Sequence, residues 1–252
     1  MIPEQEDWTR RVSAFVIDAT DAWGRLFGIG NAELAARLGS PMRFDRRGQV
    51  LLMETFEYGL QRWVPQPYGN NADITHDPTS ALTGGYSVKL ENGDAALNYA
   101  QILHTCGIRP AGRVGVSAAF ALSAVVGSLA LFFDYYSAGG LVHAGVRFQE
   151  DGSKLQYLDA TPTWKDIDVW VPCDRDDKAY NQMKMVVDLD AGEYVRVLAN
   201  GTEHDLAGTA TDTNTTPYSP YYSITVKFIG RAGDTDYCYI DDVIVTVAEP
   251  EE

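Results

Sequence analysis

The sequence is poor in most of the features that would assign it a chemistry. It has only three cysteines, Cys106, Cys173 and Cys238. They are an odd number and far apart, without the short spacings of zinc ligands, so buried thiols are expected rather than a disulfide framework. No apolar run approaches the ~20 residues that a membrane-spanning helix needs, which argues against membrane insertion. The opening, MIPEQEDWTRRVSAFVIDATD, lacks a basic segment followed by an apolar core and a small-residue cleavage site, so ordinary secretion is not expected. Positive charge is scarce as well. The net charge is −15, and because residues 1–50 hold seven acids and seven arginines, all of that excess falls on residues 51–252. A body this acidic repels phosphate backbones and has no basic stripe, which excludes nucleic acid as an expected partner.

The four histidines, His76, His104, His143 and His204, are dispersed and form no His-x-x-x-His pair. There is no Ser-His-Asp order with a nucleophile elbow and no Asp-x-Asp-x-Asp-Gly calcium loop. Fixed-period repeats and low-complexity tracts are missing too.

What is present is a change of regime near residue 50. Before it, Asn31 reads as a cap on two helical turns, 32–38, ended by Gly39, and Asp21 can cap a shorter turn. Such pieces are too short and too broken by glycine to carry a core, so residues 1–50 are expected to form an arm that packs on something else. Met42-Arg43-Phe44 and Gln49 to Met53 then read as strands around a turn at 45–48.

From residue 53 onward strand candidates recur about every ten residues between Gly, Pro, Asn and Asp. They include Arg113 to Ser123, Ser128 to Tyr136, Val142 to Gln149, Tyr180 to Leu189 and Tyr237 to Val247. Several alternate with period 2. Tyr86, Val88 and Leu90 should share one face, and so should Tyr222, Ile224, Val226 and Phe228, with one face buried and one wet. A dozen such strands without a long helix indicate an all-β, antiparallel sandwich over 51–248, followed by an acidic tail at 249–252. The Thr-rich stretch 207–221, closed by Pro217 and Pro220, reads as an exposed connector.

FEYGLQRW at 56–63, ALTGGYSVKLENGD at 81–94 and the terminal YCYIDDVIV at 237–245 together resemble jelly-roll carbohydrate-binding modules and related concanavalin-like sandwiches. MVVDLDAGEYVRVLANGTEHDL is similar to a hairpin of laminin-G-like and concanavalin-like lectins, with its turn at Asn200-Gly201. The resemblance implies that first and last strands pair, that Gly59 turns the chain after the opening strand and that Trp63 seals one end of the core. It also implies a structural calcium where those strands meet, with Glu57 and Asp241 at the matching positions. Separately, NAELAARLGSPMRFDRRGQVLLMETFEYG resembles the lead-in of phage virion proteins in which a short helical arm precedes a sandwich.

Paired carboxylates are abundant, but nothing places two of them across a cleft as a glycosidase needs. The aromatic supply, 14 Tyr and five Trp, suits flat contact with sugar rings. Trp63, Phe132, Trp170 and Tyr222 are expected in the core. Tyr68, Tyr136, Trp164 and Tyr218, beside Pro, Gly or charged residues, are the candidates for ligand or interface contact. These features lead to one expectation: a non-catalytic, virion-type structural or adhesive protein, assembled in the cytoplasm and displayed on a virion surface. Its arm residues Trp8, Phe15, Trp23, Leu26, Phe27, Leu34 and Leu38 would anchor it to neighbouring copies or other assembly proteins in a homo-oligomer, and surface glycan is a further partner. The alternatives are a carbohydrate-binding module of a glycan-degrading system and a glycan-cleaving enzyme on the same fold.

Overall fold

The structure, a computed structural model, describes residues 45, 47–93, 95, 98–107, 112–123, 127–149, 153–169, 171, 173–174, 176–231 and 236–251. The chain divides between Ser40 and Pro41, and every described residue belongs to the second unit. The expected arm contacts from Trp8 to Leu38, the expected strand at 42–44 and Trp170 lie outside the described residues.

Sixteen strands are described. They are β1 (Gln49–Glu54), β2 (Val64–Tyr68), β3 (Asp73–Asp77), β4 (Ser87–Glu91), β5 (Tyr99–Cys106), β6 (Arg113–Leu122), β7 (Ser128–Ser137), β8 (Gly140–Gln149), β9 (Lys154–Leu158), β10 (Trp164–Val169), β11 (Asn181–Asp188), β12 (Glu193–Ala199), β13 (Thr202–Ala210), β14 (Asp212–Asn214), β15 (Tyr221–Ile229) and β16 (Tyr237–Val247). They form two eight-stranded sheets. The first runs β13-β12-β11-β6-β16-β4-β3 with β1 also on β16, and the second runs β10-β9-β8-β7-β15-β5-β2 with β14 also on β8. The fold is the all-β, antiparallel sandwich that the alternation predicts, of the jelly-roll or concanavalin-like type that the resemblance implies, and its first and last strands pair, from Gln49↔Val247 to Glu54↔Val243.

Period-2 patterning decides which side chains face inward. On β15, Tyr222, Ile224, Val226 and Phe228 are at most 1% exposed. Each such burial contributes about 1.5–3 kcal/mol, enough collectively to fix the register. Val88 and Leu90 are buried on β4 as expected, but Tyr86 lies before that strand and stacks on His76 at 4.3 Å outside the core. Asn200 and Gly201, both at positive φ, make the two-residue turn joining β12 to β13, where the I′ geometry matches strand twist. Phe56 and Trp63 are buried with ring centroids 5.8 Å apart. Between them Gly59 sits at φ +79°, and its N–H donates to the Phe56 carbonyl at 3.0 Å. That conformation suits glycine.

Three sequence expectations need correction. Phe132 is not core: Leu131 and Phe133 take the inward positions of β7, so alternation turns Phe132 to the outer face. The supposed connector 207–221 is partly strand, because β13 continues to Ala210 and β14 then pairs Asp212–Asn214 with His143–Leu141, carrying the chain from one sheet to the other. The acidic residues at the C-terminal end do not begin as a solvated tail, since Glu249 is only 4% exposed. None of the three cysteines is in a disulfide; Cys238 is buried, while Cys106 and Cys173 are half-buried.

The two outer faces differ. That of the first sheet is covered over its middle strands: Ala119 and Ala121 lie under Tyr180 and Tyr239, and Lys184 is closed over by Asp45 at 2.8 Å and Glu249 at 2.6 Å. Arg196 is also buried there and donates to Glu249 and to the Pro250 carbonyl. The edge of β8 is shared, with β14 pairing 141–143 and β9 pairing 146–149. At the seam the Tyr194 hydroxyl reaches through the core, accepts the Gly145 N–H at 2.9 Å and lies 2.8 Å from the Leu158 carbonyl. A buried hydroxyl thus satisfies backbone groups that the divided ladder leaves over.

Candidate functional site

The outer face of the second sheet carries the chemistry. Residues in register across antiparallel strands share a face, so its side chains fall into transverse rows. One row is polar. It begins with Gln66 and Gln101 on β2 and β5, whose amides meet at 2.6 Å, and continues to Lys227 on β15 and Ala130 on β7. Beyond Ala130 come Arg147 on β8, Gln156 on β9 and Asp166 on β10.

The rows on either side are aromatic. Toward one end Tyr68 stacks on Tyr99 at 4.9 Å, and Lys227 Nζ lies 3.9 Å from the Tyr99 ring. Toward the other, Phe132 meets Trp164 at 5.8 Å and stacks on His143 at 5.7 Å. Gly145 makes room for this cluster, because a Cβ there would lie 2.8 Å from Phe132 and 3.4 Å from Trp164. The Arg147 guanidinium lies 4.4 Å from the Trp164 ring and donates to Gln156 Oε1 at 2.6 Å and Gln149 Oε1 at 3.1 Å. Further along, Tyr136 stacks on Tyr221 at 4.2 Å and takes Tyr218 edge-on at 5.1 Å. Burial and the nearby Asp134 charge push the Tyr136 hydroxyl up to about 12.

All four aromatics selected from the sequence are therefore placed with this sheet. Tyr68, Tyr136 and Trp164 project from β2, β7 and β10, and Tyr218 packs on Tyr136 from the segment before β15. They are not one cluster: Tyr68 lies on an edge strand and Trp164 on the opposite edge.

Between the aromatic groups stands a hydrogen-bonded trio. His143 Nδ1 and Asp134 Oδ1 form a short contact, and Ser223 Oγ donates to Asp134 Oδ2 at 3.1 Å. Burial lowers the imidazole pKa, but the Asp134 hydrogen bond and charge, with the charge of Asp212, more than reverse it and leave His143 above its ordinary 6.5. The order matters chemically. A serine nucleophile needs its proton taken by the imidazole. Here serine and histidine both bind the carboxylate, which raises the imidazole pKa and leaves the serine proton directed at Asp134 rather than at His143.

The expected calcium positions serve a different purpose in this geometry. Glu57 Oε1 accepts the N–H groups of Gly85 and Tyr86, at 2.9 and 3.1 Å. Asp241 accepts those of Leu82 and Thr83 on one oxygen and of Asp242 on the other. Both carboxylates thus pin the loop at 82–86 rather than converge as ligands. Among the described residues no group of three or more His, Cys, Asp or Glu side chains could hold a metal. Burial and the neighbouring Asp242 charge raise Asp241 to about 7, the cost of placing a carboxyl inside a strand end. The METFEYGLQR segment also walls a cavity of about 300 Å³ lined by Met53, Glu54, Thr55, Tyr58, Gly59, Gln61 and Arg62.

Sequence reasoning missed Arg147, Lys227, Gln101 and Gln156, because a row across a sheet is invisible without register. The one available signal was their outward parity relative to the buried Val146, Val226, Ile102 and Leu155.

No protein-family model matches the chain, and no curated protein matches it. Solved structures do. Cellulose induced protein, Cip1, is similar with a TM-score of 0.53 and 18% identity, over 77% of this chain and 96% of that one. The endo-beta-1,4-glucuronan lyase of the fungus Trichoderma reesei matches with a TM-score of 0.53 and 12% identity, over 79% and 96% of the two chains. The carbohydrate esterase of Shiga toxin-encoding bacteriophage phi24B matches with a TM-score of 0.50 and 16% identity, over 79% and 99%. At these identities the likeness is one of fold.

Proposed function

We propose that this protein is a non-catalytic glycan-binding module that uses the outer face of its second sheet. The observation that carries this reading is the alternation, on one face, of aromatic groups (Tyr68 with Tyr99, Phe132 with Trp164, Tyr136 with Tyr221) and a row of amide and cationic donors. Flat rings suit the apolar faces of sugars, and side-chain amides suit their hydroxyls. On the first sheet the outer face over β6 and β11 is closed by Tyr180, Tyr239 and the Lys184 ion pairs, and its one cation over a ring among the described residues, Lys89 on Tyr237, is paired with Glu91. Two structures of the same fold are named as carbohydrate enzymes, which is in keeping with a glycan ligand. Display on a virion through the N-terminal arm is the setting we propose for it, on the strength of the sequence of residues 1–50.

A glycan array tests the function. Binding lost on Trp164→Ala or Tyr136→Ala supports it, and binding unaffected by both substitutions refutes it. A cleaving enzyme is the second reading, favoured by the His143 and Asp134 contact on the same face. Sugar release abolished by Asp134→Asn would replace the first reading with this one.

A further inference from the structure

Two cations on this face stand apart from all others in the described chain. Arg47, Arg113, Arg196 and Arg231, and Lys89, Lys154, Lys165 and Lys184, each have a carboxylate within 4.0 Å. Arg62 and Lys178 are exposed. Arg147 and Lys227 are half-buried, yet among the described residues no carboxylate lies within ion-pair distance of either. Burial lowers the pKa of both.

A half-buried charge without a counter-charge is costly, and in this chain it is avoidable, since acids outnumber bases 35 to 20. The nearest acid in the row, Asp166, is taken up by Gln156 Nε2 and by Lys154 Nζ at 2.9 Å, and acts on Arg147 only from a distance. Register then relates the two cations. Both pair with Ala130, Lys227 from β15 and Arg147 from β8, so they flank one small residue on the same face. Their backbones are two strand spacings apart, roughly 10 Å. Each is also held rather than free: Lys227 over the Tyr99 ring, Arg147 over the Trp164 ring with two glutamine carbonyls fixing its plane. A cation fixed over a ring with no carboxylate paired to it is a preorganised anion site.

We infer that the glycan bound by this face is anionic, with carboxylate or sulfate groups received by Arg147 and Lys227 on either side of Ala130. This rests on the glycan-binding reading of the face and specifies its substrate class. The acidic body sharpens selectivity, because long-range repulsion leaves short-range pairing at these two points to hold the ligand.

The test is calorimetry on the full chain with gluco-, galacto- and manno-configured uronate oligosaccharides, their carboxyl-reduced neutral counterparts, and sulfated oligosaccharides of the same length. The expected result is at least tenfold tighter binding of one charged series than of its neutral counterpart. Lys227→Met and Arg147→Gln should each weaken charged binding about tenfold, with melting temperature read as the control for folding. Uronate and sulfate arms identify the anion. Equal or tighter binding of the neutral series overturns the inference and leaves the glycan reading standing. Binding of neither series overturns both. Charged binding unchanged in both variants overturns the assignment of the two residues.

Discussion

Phe132 and Trp164, from strands β7 and β10, lie 5.8 Å apart over a position on β8 that has no side chain, Gly145. The pair exists only because that position is empty. Gly145→Ala would place a methyl 2.8 Å from Phe132, closer than real contacts allow, and would displace the ring and its neighbour. The expected outcome is a fall in glycan affinity of tenfold or more with a stability loss of about 1–3 kcal/mol, as for other overpacked sites. Calorimetric titration and a denaturant curve on the same sample separate the two effects.

Glu249 holds Lys184 and Arg196 where all three side chains are at most 4% exposed. Glu249→Ala leaves two buried cations short of their main counter-charge and should cost about 3–5 kcal/mol. Urea unfolding measures it. Glu251→Ala, which removes an exposed partner of Arg113, is the control and should cost nothing measurable.

The contact between His143 and Asp134 predicts a pH dependence of defined sign. The folded imidazole titrates above its unfolded value of 6.5, so its contribution is fully present below pH 6.5 and disappears as pH rises through the higher folded value. Melting temperatures of wild type and Asp134→Asn should therefore differ most below pH 6.5, and the gap should narrow as pH rises through the folded value. A gap that widens with rising pH would contradict the pairing.

Tyr194→Phe removes one oxygen and leaves the Gly145 N–H and the Leu158 carbonyl short of a partner in the core. The expected cost is about 1–3 kcal/mol in chemical denaturation, larger than for a surface hydroxyl because the abandoned groups have no access to water.

Much of the fold was legible in the sequence because one property, the parity of apolar residues along β4, β11, β15 and β16, both forms the strands and buries them. Asn200-Gly201 and Gly59 marked turns for the same local reason. The site was legible only in part. Tyr68, Tyr136, Trp164 and Tyr218 could be selected by their polar or Gly and Pro neighbours, but placing three of them on one face required knowing that β2, β7 and β10 share a sheet. Phe132 was misassigned because FF at 132–133 has no internal signal of which ring faces inward. Arg147 and Lys227 escaped notice because an unpaired cation is defined by what its neighbours across the sheet are not. Glu57 and Asp241 were selected by resemblance, and their oxygens prove to be engaged by backbone amides.

β16 is an interior strand of the first sheet, pairing Ile240 with both Val88 and Phe120, and Val247 with Gln49. During synthesis on the ribosome neither half of that sheet can join the other until residues 237–247 have emerged. Until then β4 and β6 expose unpaired edges above an open core. The domain therefore folds late and as a unit, and a nascent chain stalled before residue 237 is a ligand for chaperones rather than a partly active module.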